Sequence, residues 1–208
     1  MKQDLSIFAE IQSHLIQDEM PSQYFNQIIQ EGCLQDYPLK MLSRMQQTSQ
    51  SAKHHPEGNV WNHTMLVVDE AAKRKEQSKD AVALMWAALL HDIGKPDTTR
   101  KRKGRITAYD HDRRGAVLAG DFLQHYSCKE AFIQKVVALV RWHMQILYVV
   151  KDLPFADIPA MQKESDIEEI ALLGLCDRLG RLQVNQALEE NNIAVFLNKV
   201  RNTARSEG

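Results

Sequence analysis

Apolar residues recur at intervals of three and four along almost the whole chain, and runs that alternate apolar with polar positions are hard to find. That period belongs to helices packed by one face, so the pattern predicts helix nearly everywhere. The first helix runs from about residue 5 to 17, with Leu5, Phe8, Ile11 and Leu15 on one face. Pro21 opens a second, and Gly32 closes it just past its end. Pro38 opens a short third one carrying Leu39 and Leu42. A loop over residues 53–60, marked by His54-His55-Pro56-Glu57-Gly58, precedes a helix over 61–75. Asp80 caps the next, which ends near His91 after the unbroken apolar run Ala81 to Leu90. Residues 92–104 read as irregular and basic. Asp110 is expected to cap a helix reaching His125, residues 130–143 form another, and Pro154 and Pro159 mark a loop. Ser165 and Asp166, followed by Glu168 and Glu169, start a helix that carries Leu172, Leu175, Cys176 and Leu179 to about Glu190.

The fold class expected from this pattern is all-α, a single compact helical bundle. A length of 208 residues suits one continuous core. The subdivision read from the chain is a helical lead-in, residues 1–52, packed on a main domain of residues 53–200, with a frayed tail at 201–208.

Composition narrows the function classes. Basic and acidic residues number 26 and 27, a net charge of −1, which is not the build of a general nucleic-acid binder. The three cysteines, Cys33, Cys128 and Cys176, form no CxxC pair. That argues against a disulfide framework or a thiolate zinc site and for a reducing compartment. The first residues lack an apolar signal core, and the longest apolar run is about half of the roughly 20 residues a membrane span needs. A soluble, cytoplasmic protein with no membrane partner is expected.

Candidate chemistry gathers in histidines and aspartates near predicted helix ends. His63 lies in the first turn of its helix, His91 and Asp92 follow the apolar run, His111 follows Asp110, and His143 ends an apolar helix. Taken singly, a histidine at a helix end is usually surface or a cap. Asp177 is harder to place that way, because Leu172, Leu173, Leu175 and Leu179 surround it and a buried carboxylate is costly unless paired or metal-bound. Imidazoles and carboxylates together suit a divalent ion rather than a soft thiolate site.

The order His63, His91-Asp92, Asp177, with the string His91-Asp92-Ile93-Gly94-Lys95, resembles the HD superfamily of metal-dependent phosphohydrolases in its HDIG form. A closer resemblance covers about residues 15 to 185. It rests on the stretch from His55 to Thr64, on Glu31-Gly32-Cys33-Leu34 and Tyr37-Pro38, on Asp110-His111-Asp112 with Gly115-Ala116, and on Asp177-Arg178-Leu179-Gly180-Arg181. These look like the HD part of bacterial CCA-adding tRNA nucleotidyltransferases. No stretch of these residues resembles the nucleotide-transferring head of that family, so CCA addition is not implied. Asp110 stands where the family often has glycine.

The resemblance implies a bundle of HD-domain type with His63, His91, Asp92 and Asp177 as ligands of one divalent ion (Mn, Fe, Ni, Mg or Zn). His111 and His143 stand where some HD families hold a second ion bridged by Asp92; the other reading gives them to the substrate phosphate or to proton transfer. A bound ion lowers the pKa of water and so provides a hydroxide nucleophile for phosphoester hydrolysis. Asp92, Lys95 and Arg178 are the expected catalytic groups, the last two as fixed cations beside the ligands. The expected substrate is a nucleotide, a 2′,3′-cyclic phosphodiester or a small phosphomonoester, with RNA ends among the candidates. The competing function is an RNA- or nucleotide-binding helical module with a structural metal and no turnover. The basic run Arg100-Lys101-Arg102-Lys103-Gly104-Arg105 reads either as a rim for phosphates or as a solvated turn.

Overall fold

The structure is a computed structural model that describes the backbone of residues 2–206 and the side chains of residues 6–203. Its centre is a helix here labelled α5 (Ala81–Leu90), after α1 (Lys2–Gln17), α2 (Pro21–Gln30), the short α3 (Lys40–Ser43) and α4 (Val60–Ala72). Asp80 caps α5 by accepting from the Ala83 N–H at 3.1 Å. Every side chain from Ala83 to Leu90 is buried, so this helix is apolar all round rather than on one stripe. Burying each of its large side chains is worth about 1.5–3 kcal/mol.

Four helices wrap α5. These are α1, α4, α8 (Glu130–Trp142) and α11 (Ile167–Leu179). Trp86 stacks on Phe8 of α1 with ring centroids 4.7 Å apart, and its indole donates to Gln12. Helix α2 lies on α4, with Phe25 edge-on to Trp61. Helix α7 (His111–His125) packs along α8, and α12 (Gln186–Ser206) lies across α11 and α9 (Gln145–Val150). One apolar core thus runs from Ile11 and Leu15 to Phe196 and Val200. Trp61, Trp86 and Trp142 are all buried within it. Leu5, expected on the buried face of α1, lies outside the described side chains.

The all-helical expectation holds, with one small exception that begins in the segment read as irregular and runs just past it. There α6 (Lys95–Thr98) is followed by a hairpin of β1 (Arg100–Arg102) and β2 (Arg105–Thr107). A strand signal was missing because the hairpin has almost no apolar side chain to alternate. Its turn, Lys103-Gly104, has both residues at positive φ, 49° and 75°, the two-residue turn that matches strand twist.

Other boundaries also moved. Asp110 does not cap α7: its backbone is left-handed (φ 57°) and its side chain makes no cap bond. Pro159 opens α10 (Ile158–Glu164) instead of standing in a loop, a use proline's fixed φ favours. Helix α11 does start at Asp166, whose side chain accepts from Glu168 N–H, but it stops at Leu179 rather than near Glu190. Gly180 ends it where a Cβ would lie 2.8 Å from the backbone nitrogen of Val67. Residues 201–206, read as frayed, continue α12; Glu207 and Gly208 lie outside the described residues. No helix among the described residues is long and apolar enough to cross a membrane.

Candidate metal centre

Helix ends deliver the site. His63 stands one turn into α4, which Asn59 caps by accepting from Asn62 N–H at 2.8 Å. His91 is the C-terminal cap of α5, and Asp92 follows in the tight turn His91–Gly94. His111 is the first residue of α7, His143 the C-terminal cap of α8, and Asp177 sits within α11. The turn and α7 are pressed together at two glycines. A Cβ on Gly94 would sit 2.2 Å from the carbonyl oxygen of His111, and one on Gly115 would press on Val140 and His91. The glycine of the HDIG string is therefore needed for close approach, not for an unusual φ.

All six side chains meet and all are buried. Asp92 lies at the middle. Its Oδ2 faces His91 Nε2 at 3.2 Å and His63 Nε2 at 3.9 Å, while its Oδ1 faces His111 Nε2 at 3.5 Å and His143 Nε2 at 3.9 Å. His111 and His143 are 3.3 Å apart through their Nε2 atoms. Asp177 enters through His63, its Oδ1 2.9 Å from His63 Nε2. The groups His63–His91–Asp92 and Asp92–His111–His143 each bring three donor atoms within 4.8 Å of one another.

Three of the imidazoles are held the same way. Nδ1 of His91, His111 and His143 donates to the carbonyl three residues earlier, on Ala88, Ala108 and Val140, at 2.9, 2.6 and 2.7 Å. A carbonyl can only accept, so the proton stays on Nδ1 and Nε2 turns its lone pair inward. His63 is the exception. Its Nδ1 lies 3.1 Å from Oε1 of Glu57, which also meets His55 Nδ1 at 2.8 Å.

Electrostatics follow from this packing. Burial alone would raise the Asp92 carboxyl, but His91, Lys95 and His111 around it hold it well below the usual carboxylate range. Asp177 behaves alike, burial being outweighed by Arg181 and His63. Burial and the neighbouring His111 and His91 push His143 down to about 4. Near neutral pH the centre therefore pairs ionised carboxylates with a neutral His143, the states a metal ligand set requires.

The donors fit a divalent ion. His91 Nε2 and Oδ1 of Asp92 are buried without a hydrogen-bond partner, a costly condition that a cation shared among them would relieve. Imidazole plus carboxylate, with no thiolate among the six, matches the borderline and hard ions.

The two cations expected from the sequence part company. Lys95 reaches the centre, with Nζ 2.6 Å from Asp92 Oδ2 and 2.6 Å from Oε1 of the buried Gln50. Arg178 turns to Glu189 of α12 at 2.7 Å. The guanidinium that meets Asp177 is that of Arg181, with Nη2 3.3 Å from both carboxylate oxygens. The four-residue spacing links Arg181 to Asp177 only in the longer helix expected from the sequence; α11 itself ends at Leu179. Gln50, 45 residues before its partner Lys95, carried no signal. The basic segment at 100–105 is exposed and belongs to the hairpin, not to the buried centre.

A family profile described as HD domain matches residues 60–182. Over 192 residues the chain is 32% identical to the multifunctional CCA protein of Polaromonas naphthalenivorans, covering 86% of this chain and 42% of that protein. It is 28% identical over 151 residues to the multifunctional CCA protein of an Azoarcus species, covering 69% and 35%. It is 33% identical over 113 residues to the A-adding tRNA nucleotidyltransferase of Deinococcus radiodurans, covering 53% and 25%. The matches thus span a quarter to about two fifths of these relatives' length. HD domains bind divalent metal ions and are, in general, metal-dependent phosphohydrolases. The profile takes in more than half of the chain and all six residues of the centre, and by that match the chain belongs to the HD-domain family.

Proposed function

We propose that the chain hydrolyses phosphoesters with two divalent ions, one held by His63, His91, Asp92 and Asp177 and the other by Asp92, His111 and His143. The observation that carries this reading is the division of Asp92, with one oxygen toward His63 and His91 and the other toward His111 and His143. When bound, such an ion pair supplies an activated water and neutralises charge on the phosphoryl oxygens.

The chain's own groups do the rest. Backbone carbonyls fix three imidazole tautomers, so little reorganisation is needed when charge develops. Lys95 keeps a fixed positive charge beside Asp92, and Gln50 holds its ammonium in place. Arg181 anchors Asp177. The substrate class that suits this set is a nucleotide, a 2′,3′-cyclic phosphodiester at an RNA end or a small phosphomonoester. The tRNA in the name of the Deinococcus radiodurans relative is consistent with an RNA terminus.

Elemental analysis of chain purified without chelator, followed by assays on aryl phosphates and on cyclic and linear phosphodiesters, tests the proposal. The expected result is about two transition-metal ions per chain and turnover that Asp92→Ala abolishes while helicity is kept. One ion per chain would return His111 and His143 to substrate or proton-transfer roles. Bound metal with no turnover on any phosphoester would replace the hydrolase with a nucleotide-binding module.

A further inference from the structure

The β1–β2 hairpin is built against its own stability. Arg102 lies directly across from Arg105 in the register, and like charges in opposed positions repel. Lys103 occupies the left-handed turn position where asparagine or glycine costs less. A two-stranded ribbon of three residues a side has little else to hold it.

Its charge is also uncompensated. Among the described residues, Lys101, Arg102, Lys103 and Arg105 are in no ion pair. The carboxylate at the base of the hairpin, Asp97, is taken by Arg44 at 2.8 Å and Arg114 at 2.7 Å. All four free cations are exposed. In a chain of net charge −1 this is a local concentration, not a general bias.

Geometry gives the patch a direction. Side chains two apart on a strand share a face, so Arg105 and Thr107 stand with Arg102 on one side of the ribbon. Together with Lys103 and Tyr109 they line a groove. Tyr109 is 74% exposed, two residues before His111. The groove thus carries guanidinium groups on the ribbon and an exposed aromatic ring at Tyr109, where the chain runs on toward His111.

We propose that this groove binds single-stranded RNA, with Arg102, Lys103 and Arg105 on consecutive backbone phosphates and a base stacked on Tyr109. Guanidinium groups match phosphate oxygens, and a lone exposed ring needs an unpaired base, which a duplex does not offer. An anionic strand between Arg102 and Arg105 removes their repulsion. The proposal deepens the phosphohydrolase reading by making an RNA end its substrate, but it stands on binding alone.

The test is fluorescence anisotropy of a labelled single-stranded oligoribonucleotide, titrated with the full chain over a range of salt. Each neutralised phosphate of a single strand contributes about −0.7 to the slope of log K against log salt. Three hairpin cations therefore predict a slope near −2, and the triple variant Arg102→Gln/Lys103→Gln/Arg105→Gln should remove most of it. Tyr109→Ala should weaken binding by about tenfold with little change in slope, and Tyr109→Phe should restore it. Circular dichroism verifies that the variants fold. Equal affinity of the triple variant, tighter binding of duplex than of single strand, or equal binding of a polyglutamate peptide would each overturn the proposal. RNA binding without phosphoester turnover would leave the groove standing and remove the hydrolase reading; turnover without RNA binding would do the reverse.

Discussion

Oε1 of Glu57 lies between two imidazoles, 2.8 Å from His55 Nδ1 and 3.1 Å from His63 Nδ1. It comes from the loop before α4, and it does for His63 what backbone carbonyls do for His91, His111 and His143. A carboxylate does it more strongly, because it carries charge. Burial alone would raise the Glu57 carboxyl, but hydrogen bonds to His63, to backbone and to His55 take it down to about 2.

Glu57→Gln keeps the size and an acceptor but removes the charge. Loss of such an outer partner typically weakens metal binding by about 10- to 100-fold, and the retained acceptor puts the expectation near tenfold. Competition against a chromophoric chelator measures it. Unchanged affinity would mean that Glu57 merely fills the loop.

Gly94→Ala should be more damaging than its size suggests. The new methyl would lie 2.2 Å from the His111 carbonyl and 2.5 Å from the Gly115 nitrogen, both backbone atoms. The turn and α7 must separate, at a cost of about 1–3 kcal/mol or more for overpacking. In a chain of this length that is a fall in Tm of several degrees, about 2–4 °C per kcal/mol. Because His111 moves with α7, metal content should drop as well. A variant with wild-type Tm and metal content would show that the contact gives way easily.

Asp80 ties acid stability to one helix start. Burial alone would raise its carboxyl, but Lys135 and the Ala83 N–H hold it below its ordinary value. A depressed carboxyl contributes stability above its unfolded-state pKa, about 3.9, and loses it as pH falls through the lower folded value. Asp80→Asn keeps the cap and loses the charge. Its urea midpoint should lie slightly below wild type at pH 7, and the gap should close below about pH 4. Asp80→Ala also loses the cap, about 1 kcal/mol more at neutral pH.

The two arginines near Asp177 should separate in their effects. Arg181→Gln should lower turnover, since Arg181 meets both Asp177 oxygens. Arg178→Gln breaks a largely buried pair with Glu189, so its main cost should fall on Tm. Steady-state rates and thermal melts on both variants distinguish them. The reverse assignment would return the role to Arg178.

Much of the architecture is legible in the sequence. The run Ala81 to Leu90 announced a buried helix, and the residues behind it, His91 and Asp92, emerge where that helix ends. Asp177 stood out because leucines flank it. What escaped had no apolar periodicity to reveal it. The hairpin is nearly all cationic, Gln50 lies in a loop far in sequence from Lys95, and Arg181 follows a helix end that only the close approach of Gly180 to Val67 imposes. Asp110 and Pro159 show the same point from the other side. A capping residue type or a proline fits several local conformations, and tertiary packing chooses among them.

His63 and Asp177 are separated by 114 positions in the chain yet touch at 2.9 Å. An ion held by both is also a removable cross-link, closing a loop over more than half of the sequence. Only the folded chain offers that grip, so occupancy lowers the population of opened forms by mass action. Starving such a protein of metal would then expose it to proteases before any change in its amino acids did, and its abundance in a cell would follow the supply of the ion.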